Sequence, residues 1–319
     1  MKEKKKCIVM FSGGLDSRLA VKIMQEKGFD VLGVFFKLPF GTGCCNENCS
    51  FNFSQLQGIK LKIFDCTKGK LLQEYLKVIR EAKHGRGAGV NPCIDCRIFM
   101  LKKVKKFADK QKIKFIVTGE VVGQRPMSQQ KKQIEIIEKE AELKDRIIRP
   151  LIDFYNFQGR SRKPQMALAK KFKIKYPHPA GGCLLCEKAL KNRLETLLKR
   201  GMSEEEISLV GIGRHFMFGN NWVVIGRDEK ENKIIEASKA GKIIEPDYPA
   251  PSAVIMPATT QLPTSLVQSS PIPREITCPT IPSKQETPLT IINKVNKLIQ
   301  AYSKKGSLKE RKKFDKWKL

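Results

Sequence analysis

Two groups of residues in this chain have the types and spacing to do chemistry. The first is Ser12-Gly13-Gly14-Leu15-Asp16-Ser17. Its glycines let backbone N–H groups approach an anion closely. A helix start behind them adds partial positive charge, and Ser12 and Ser17 add hydroxyl donors. That is the equipment of a phosphate cradle. Asp16 is out of place beside a phosphate unless Mg2+ bridges the two. The loop lacks the Gly-Lys-Ser/Thr ending of a Walker sequence. The second group is sulfur, in Cys93-Ile94-Asp95-Cys96 and Cys183-Leu184-Leu185-Cys186. Two Cys-x-x-Cys pairs are a strong metal signal. Three chemistries stay open. One is structural Zn2+ on Cys93, Cys96, Cys183 and Cys186. Another is an iron–sulfur cluster held by three thiolates, with one iron open to exogenous sulfide. The last is metal-free, a persulfide on one cysteine and a second cysteine resolving it.

These residues need a frame to hold them. Residues 7–11 read as a buried strand running straight into the loop, and a helix carrying Leu19, Ala20, Ile23 and Met24 follows, ended by Gly28. Further strands are predicted at 31–36, 60–65 and 115–118, with a short one at 146–151. Helices are predicted at 71–82 and 96–110. Strands alternating with helices imply an α/β fold with a doubly wound parallel sheet. After Gly182 the pattern changes. A basic helix at 189–200 precedes Met202-Ser203-Glu204-Glu205-Glu206, where Ser203 and Glu206 form a capping box. A strand at 222–225 follows, so residues 187–245 read as a smaller α+β domain. Residues 246–289 are rich in Pro, Ser and Thr, with an irregular strand at 253–256, and 290–303 reads as a helix. The division is therefore 1–186, 187–245 and 246–319.

The 319 residues carry 61 Lys and Arg against 32 Asp and Glu, a net charge of +29. A chain this basic attracts polyanions. At 41% hydrophobic residues it can bury a core. No apolar run reaches the ~20 residues of a membrane span, and residues 7–11 are too short for a signal peptide's apolar region. A cytoplasmic chain without a membrane partner is expected. In that reducing compartment the ten cysteines are not a disulfide framework.

The hexapeptide resembles the pyrophosphate-binding loop of the N-type ATP pyrophosphatase (PP-loop) superfamily. Several further motifs occur in order. They are Asn91-Pro92-Cys93-x-x-Cys96, Thr118-Gly119-Glu120-x-x-Gly123-Gln124-Arg125-Pro126-Met127-Ser128, Arg149-Pro150-Leu151 and Pro179-Ala180-Gly181-Gly182-Cys183. Together they resemble the ATP-dependent tRNA uridine sulfurtransferases, the makers of 2-thiouridine and 4-thiouridine, over about residues 5–186. The resemblance implies a nucleotide α-hydrolase-like fold that adenylates a uridine carbonyl oxygen with Mg-ATP and replaces it by sulfur. It implies ATP contacts from Ser12, Gly13, Gly14, Asp16, Ser17, Gly119 and Arg125. Asp16, Cys93, Cys96 and Cys183 are the implied catalytic residues, the three cysteines holding a 4Fe-4S cluster. Cys186 is extra and keeps Zn2+ open. Against that family pattern, neither a tRNA-binding extension before the loop nor a rhodanese-like domain is expected. Sulfur is therefore expected from sulfide or from a cysteine desulfurase or carrier protein. The partners implied are tRNA and that donor, and a homodimer is compatible. The same loop could instead serve an amide- or nitrile-forming ligase with a four-cysteine zinc site, or the chain could be a non-catalytic RNA-binding protein.

Other residues carry lesser expectations. Gly159-Arg160-Ser161-Arg162-Lys163 suits a tRNA phosphate clamp, and the lysines between Lys102 and Lys114 suit either backbone contacts or a solvated face. Arg214-His215-Phe216 and Gly226-Arg227-x-x-x-Glu231-Asn232 resemble an RNA-binding region shared with NFACT proteins. That resemblance implies phosphate contacts from Arg214 and Arg227 beside an aromatic stack on Phe216. Cys44, Cys45 and Cys49 lie on a loop at the ligand edge and could accept sulfur. Asp153 could orient the nucleotide or cap a helix. His84 is expected on a mobile lead to the first cysteine pair. Cys7, Cys66 and Cys278 read as packing residues.

Overall fold

The computed structural model describes residues 4–41, 47–176, 182–257 and 288–319. They fall into two compact units, Met1–Lys191 and Asn192–Leu319. In the first, β1 (Lys6–Met10) is the apolar run at the start of the chain, buried from Cys7 onward. It feeds through the hexapeptide into α1 (Leu15–Glu26), which buries Leu15, Leu19, Ile23 and Met24 on one face. Next come β2 (Asp30–Lys37), α2 (Glu47–Leu56), β3 (Lys60–Asp65), α3 (Gly69–Glu81) and α4 (Cys93–Lys110). They are followed by β4 (Phe115–Thr118), α5 (Lys131–Glu140), β5 (Ile147–Ile148), α6 (Pro150–Asp153) and α7 (Lys163–Lys171). All five strands run parallel, in the order β3-β2-β1-β4-β5.

That order fixes where chemistry can happen. From β1 the chain winds outward through β2 and β3, then returns to place β4 on the other side of β1. The register sets Met10 opposite both Val34 and Thr118. The helices that follow β1 and β4 therefore lie on opposite faces of the sheet, and a crevice opens at the carboxyl ends of these strands. One apolar layer packs Val9, Val21, Leu151 and Leu168 on one face of the sheet. Another packs Ile8, Ile98, Val104 and Ile137 on the other. Cys7 belongs to the first of these layers, and Cys66 is likewise fully buried.

The second unit holds α8 (Lys191–Arg200, entering from the last residue of the first unit), α9 (Glu204–Ile207), β6 (Arg214–Phe218), β7 (Asn221–Ile225) and α10 (Glu229–Glu236). It continues with β8 (Lys242–Ile244), β9 (Ala253–Met256), α11 (Pro288–Tyr302) and α12 (Leu308–Lys312). Its sheet is antiparallel, in the order β6-β7-β9-β8. The Ser203–Glu206 capping box is present with both of its bonds. The sequence set residues 246–319 apart from the small domain. In the structure β9 is a fully buried interior strand of that sheet, and Val295 and Leu298 of α11 share its core.

Candidate active site

The loop after β1 and the loop after β4 meet at the crevice. Gly13 has φ +79, a left-handed turn that lets the chain leave the strand and enter α1. Ser17 Oγ donates to Gly14 O at 2.9 Å, and Ser12 Oγ to Ser17 Oγ at 3.3 Å. Gly119 packs directly against this turn. A Cβ there would lie 2.7 Å from the backbone C and O of Asp16, so a larger residue would push the two loops apart.

Asp16 is the carboxylate that lines this site. Its Oδ2 accepts from Gln124 Nε2 at 2.7 Å, and Gln124 is held in turn by Gln165 Nε2 at 2.8 Å. Arg162 Nη1 lies 4.0 Å from the same oxygen. Asp16 Oδ1 is buried without a hydrogen-bond partner. Burial pushes the Asp16 pKa up, against the Gln124 hydrogen bond and the charges of Arg162 and Arg125. An orphaned, buried carboxylate oxygen at the head of a phosphate-type loop suits a hard divalent cation carrying a nucleotide.

Ser12, Gly14, Asp16, Ser17, Gly119 and Arg162 line a cavity of about 650 Å³, and both cysteine pairs line the same cavity. The first pair opens α4. The second is brought to it by backbone bonds, Val90 N to Leu185 O at 2.9 Å and Leu184 N to Phe40 O at 3.2 Å. Cys183 Sγ faces Phe40 O at 3.4 Å, Cys96 Sγ lies 3.6 Å from the Tyr75 hydroxyl, and Asn91 Nδ2 donates to Cys93 Sγ at 3.2 Å. A hydrogen bond from the Cys186 thiol, helped by Asn91 and by the charges of Arg125 and Arg97, brings Cys93 down to about 6. The same bond pushes Cys186 up. Burial drives Cys96 up to about 12 and raises Cys183. The four sulfurs are thus a soft donor set on one wall. Among the described residues no three His, Cys, Asp or Glu side chains stand close enough together to share one metal ion.

Beside these cysteines is a charge network that joins two motif residues, Glu120 and Arg149, through Arg97. Glu120 pairs with Arg97, accepts from Thr118 Oγ1 at 2.9 Å, and accepts from Arg149 Nε at 3.2 Å. Arg149 also reaches Glu138 at 2.8 Å. Burial opposes ionisation of Glu120, but the two guanidiniums prevail and hold its pKa below the usual range. Arg97 itself lines the cavity beside Cys96.

Other expected residues fall elsewhere. Arg125 and Arg162 line the cavity, whereas Arg160 and Lys163 are exposed outside it. Asp153 accepts from Arg149 N at 2.7 Å, so it caps the start of α6. His84 is tied down. Its Nδ1 and Nε2 contact Asp95 at 2.8 Å and Glu140 at 2.7 Å, which anchors the lead to Cys93. Cys49 sits on α2 with Arg18 Nη2 3.0 Å from its sulfur. Cys44, Cys45, Cys278 and the Pro179-Ala180-Gly181 stretch lie outside the described residues. In the second unit Phe216 is fully buried, so it cannot stack on a base. Arg227 is paired with Glu231, and Arg214 lies over the Tyr302 ring at 5.0 Å.

The loop, the β4 terminus and the first cysteine pair all fall within residues 3–158, which match the ThiI family model, described as thiamine biosynthesis protein. That stretch is similar to the ThiI family. The ThiI match ends before Cys183. The chain is also 30% identical over 125 residues to the tRNA-specific 2-thiouridylase MnmA of Sulfurimonas denitrificans, covering 37% of this chain and 35% of that protein. It is 24% identical over 177 residues to the same-named protein of Nitratiruptor sp., covering 52% and 51%. The matched part thus spans between about a third and a half of the length of these relatives. A crystal structure of a 4-thiouridine synthetase–RNA complex with bound ATP aligns at 19% identity and a TM-score of 0.41, over 64% of this chain and 53% of that one.

Proposed function

We propose that this chain thiolates a uridine of tRNA at the expense of ATP. One observation carries the reading: a pyrophosphate-type loop and four cysteines face into the same cavity. A uridine carbonyl oxygen is a poor leaving group until it is adenylated. In this reading the oxygen attacks the α-phosphorus of ATP and pyrophosphate departs into the Ser12–Ser17 loop, where charge builds up and is stabilised. Asp16 Oδ1 takes Mg2+, and Arg125 and Arg162 face the phosphates. A sulfur nucleophile then displaces AMP from the activated carbon.

Cys93, Cys96 and Cys183 are the residues that would hold a 4Fe-4S cluster. Such a cluster, when bound, supplies an open iron for exogenous sulfide. The chain's own contribution is clear without it. Asn91 and Cys186 hold Cys93 as a thiolate, and Phe40 and Tyr75 orient Cys183 and Cys96. A second reading is favoured by the Cys93–Cys186 hydrogen bond. There Cys93 carries a persulfide whose outer sulfur displaces AMP. Cys186 then attacks the inner sulfur, leaving a Cys93–Cys186 disulfide and C=S on the base. Sulfide serves the cluster route, whereas in the relay the Cys93 thiolate takes the outer sulfur of a persulfide on a desulfurase or carrier protein and releases that protein's thiol. Arg160, Lys163, Arg214 and Arg227 are the proposed tRNA contacts, and the cytoplasm is the proposed site of action. Among the described residues no helix is long and apolar enough to cross a membrane.

The test is anaerobic reconstitution with iron and sulfide, followed by incubation with tRNA, Mg-ATP and sulfide. Thionucleoside and stoichiometric AMP are expected by mass spectrometry. Absence of thionucleoside with an intact cluster, and also with a persulfide-loaded protein, refutes the reading. Cys186→Ser separates the two sulfur routes, because a serine hydroxyl can still donate to Cys93 but only a thiol can resolve the persulfide.

A further inference from the structure

Arg18 is an uncommon residue to find sealed under a nucleotide loop. It is 7% exposed, and no described carboxylate forms an ion pair with it. Its guanidinium lies over the Phe53 ring at 4.6 Å. Nε donates to Gly13 O at 2.6 Å, Nη1 to Lys175 O at 2.8 Å, and Nη2 to Cys49 Sγ at 3.0 Å. A buried cation without a counter-charge is costly, so these contacts have a strict geometry to maintain.

The contact with Gly13 determines more than the position of one oxygen. A trans peptide is planar, with its C=O and N–H pointing in opposite directions. The described residues contain no cis peptide bond. Arg18 does not line the cavity, whereas Gly14 does. Drawing Gly13 O back toward Arg18 therefore turns the N–H of Gly14, in the same peptide, out toward the cavity. No described residue accepts from that N–H. A Gly-Gly peptide has little steric resistance to turning over. If it turned over, the cavity would face a carbonyl oxygen where pyrophosphate needs a donor.

We propose that Arg18 is a positioning residue that locks the Gly13–Gly14 peptide with the Gly14 N–H aimed at the departing pyrophosphate. The inference rests on the ATP-dependent reading above and assigns the loop's orientation to a side chain outside the hexapeptide. Arg18 also grips Lys175 O, so one side chain ties the loop to the segment that follows α7.

The test uses the full chain and two probes, pyrophosphate with Mg2+ and adenosine, with calorimetric Kd values for each. Arg18→Met should weaken pyrophosphate about tenfold to a hundredfold, the range of a lost hydrogen bond to a charged ligand. Adenosine should change less than twofold, which also verifies the fold. Arg18→Lys, with a single nitrogen to reach Gly13 O, should fall between, and it carries the test alone if Arg18→Met does not fold. Gly14→Ala in the Arg18 variant should restore pyrophosphate affinity. Gly14 has φ −76, which alanine adopts, and turning the peptide over would take that φ positive, where alanine resists. Unchanged pyrophosphate affinity, a parallel loss of adenosine, or no rescue by Gly14→Ala overturns the proposal. Wild-type protein that binds adenosine but not pyrophosphate overturns the ATP reading as well.

Discussion

Gln124 donates to one oxygen of Asp16 at 2.7 Å and leaves the other oxygen buried and unpartnered. The amide therefore aims the carboxylate without satisfying it. Asp16→Asn removes the charge that Mg2+ needs and should lower ATP turnover at least a hundredfold, measured as AMP release. Burial already disfavours the charged carboxylate, so folding should not suffer. The thermal midpoint without nucleotide is expected to hold or rise.

Glu120 is the anion between Arg97 and Arg149. Glu120→Gln leaves two guanidiniums facing each other over a neutral amide. Breaking a buried ion pair from one side costs about 3–5 kcal/mol. A lower urea midpoint is expected, along with lost sulfur transfer, because Arg97 stands at the cysteine wall. Glu120→Gln combined with Arg97→Met should recover part of the stability and none of the transfer.

Gly119→Ala tests the packing of the β4 terminus on the loop. The added methyl would meet the backbone of Asp16 and Ser17 within 3 Å, where neither neighbour can swing aside. The KM for ATP should rise at least tenfold. A midpoint shift of several degrees should accompany it, since overpacking costs about 1–3 kcal/mol.

Trp222 donates its indole N–H to His215 Nδ1 at 3.1 Å, and both rings are fully buried. Burial, with the charges of Arg193 and Arg227 beside it, drives His215 down to about 3. The unfolded chain takes up this proton near pH 6.5 and the folded chain does not until about 3. Stability of the second unit from this residue is full above 6.5 and falls as the pH drops toward 3. Both tryptophans lie in that unit, so fluorescence-monitored unfolding reads it directly. The slope of the midpoint between pH 6.5 and 4 should flatten in His215→Gln.

The parallel sheet was legible because its strands are short apolar runs punctuated by loops of distinctive chemistry. The Ser203–Glu206 box was legible because capping is local and depends on a fixed spacing. Other features were not. Arg97, Glu120 and Arg149 share no period: the β4–β5 pairing brings the ends carrying Glu120 and Arg149 together, and α4 supplies Arg97. Strand β6 buries His215 and Phe216 in succession, so alternation gave no warning that Phe216 is core. The strand at 253–256 was legible, but the prolines and serines around it hid that it is an interior strand of the antiparallel sheet. Arg162 was grouped with Arg160 and Lys163 by adjacency, yet it turns to Asp16 while those two remain exposed. Arg18 follows the hexapeptide directly, but only three-dimensional contacts reveal what it holds.

The pairing of β1 with β4 sets Cys7 beside Phe115, strands separated by most of the first unit's length. During synthesis β1, β2 and β3 can associate as they emerge, since each pairs with its neighbour in sequence. The Gly119 contact that completes the crevice must wait for β4. Closing so long a loop is entropically expensive and comes late. Nucleotide therefore cannot steady the nascent chain. Its binding competence should appear as one late step in refolding, after most helical signal has returned.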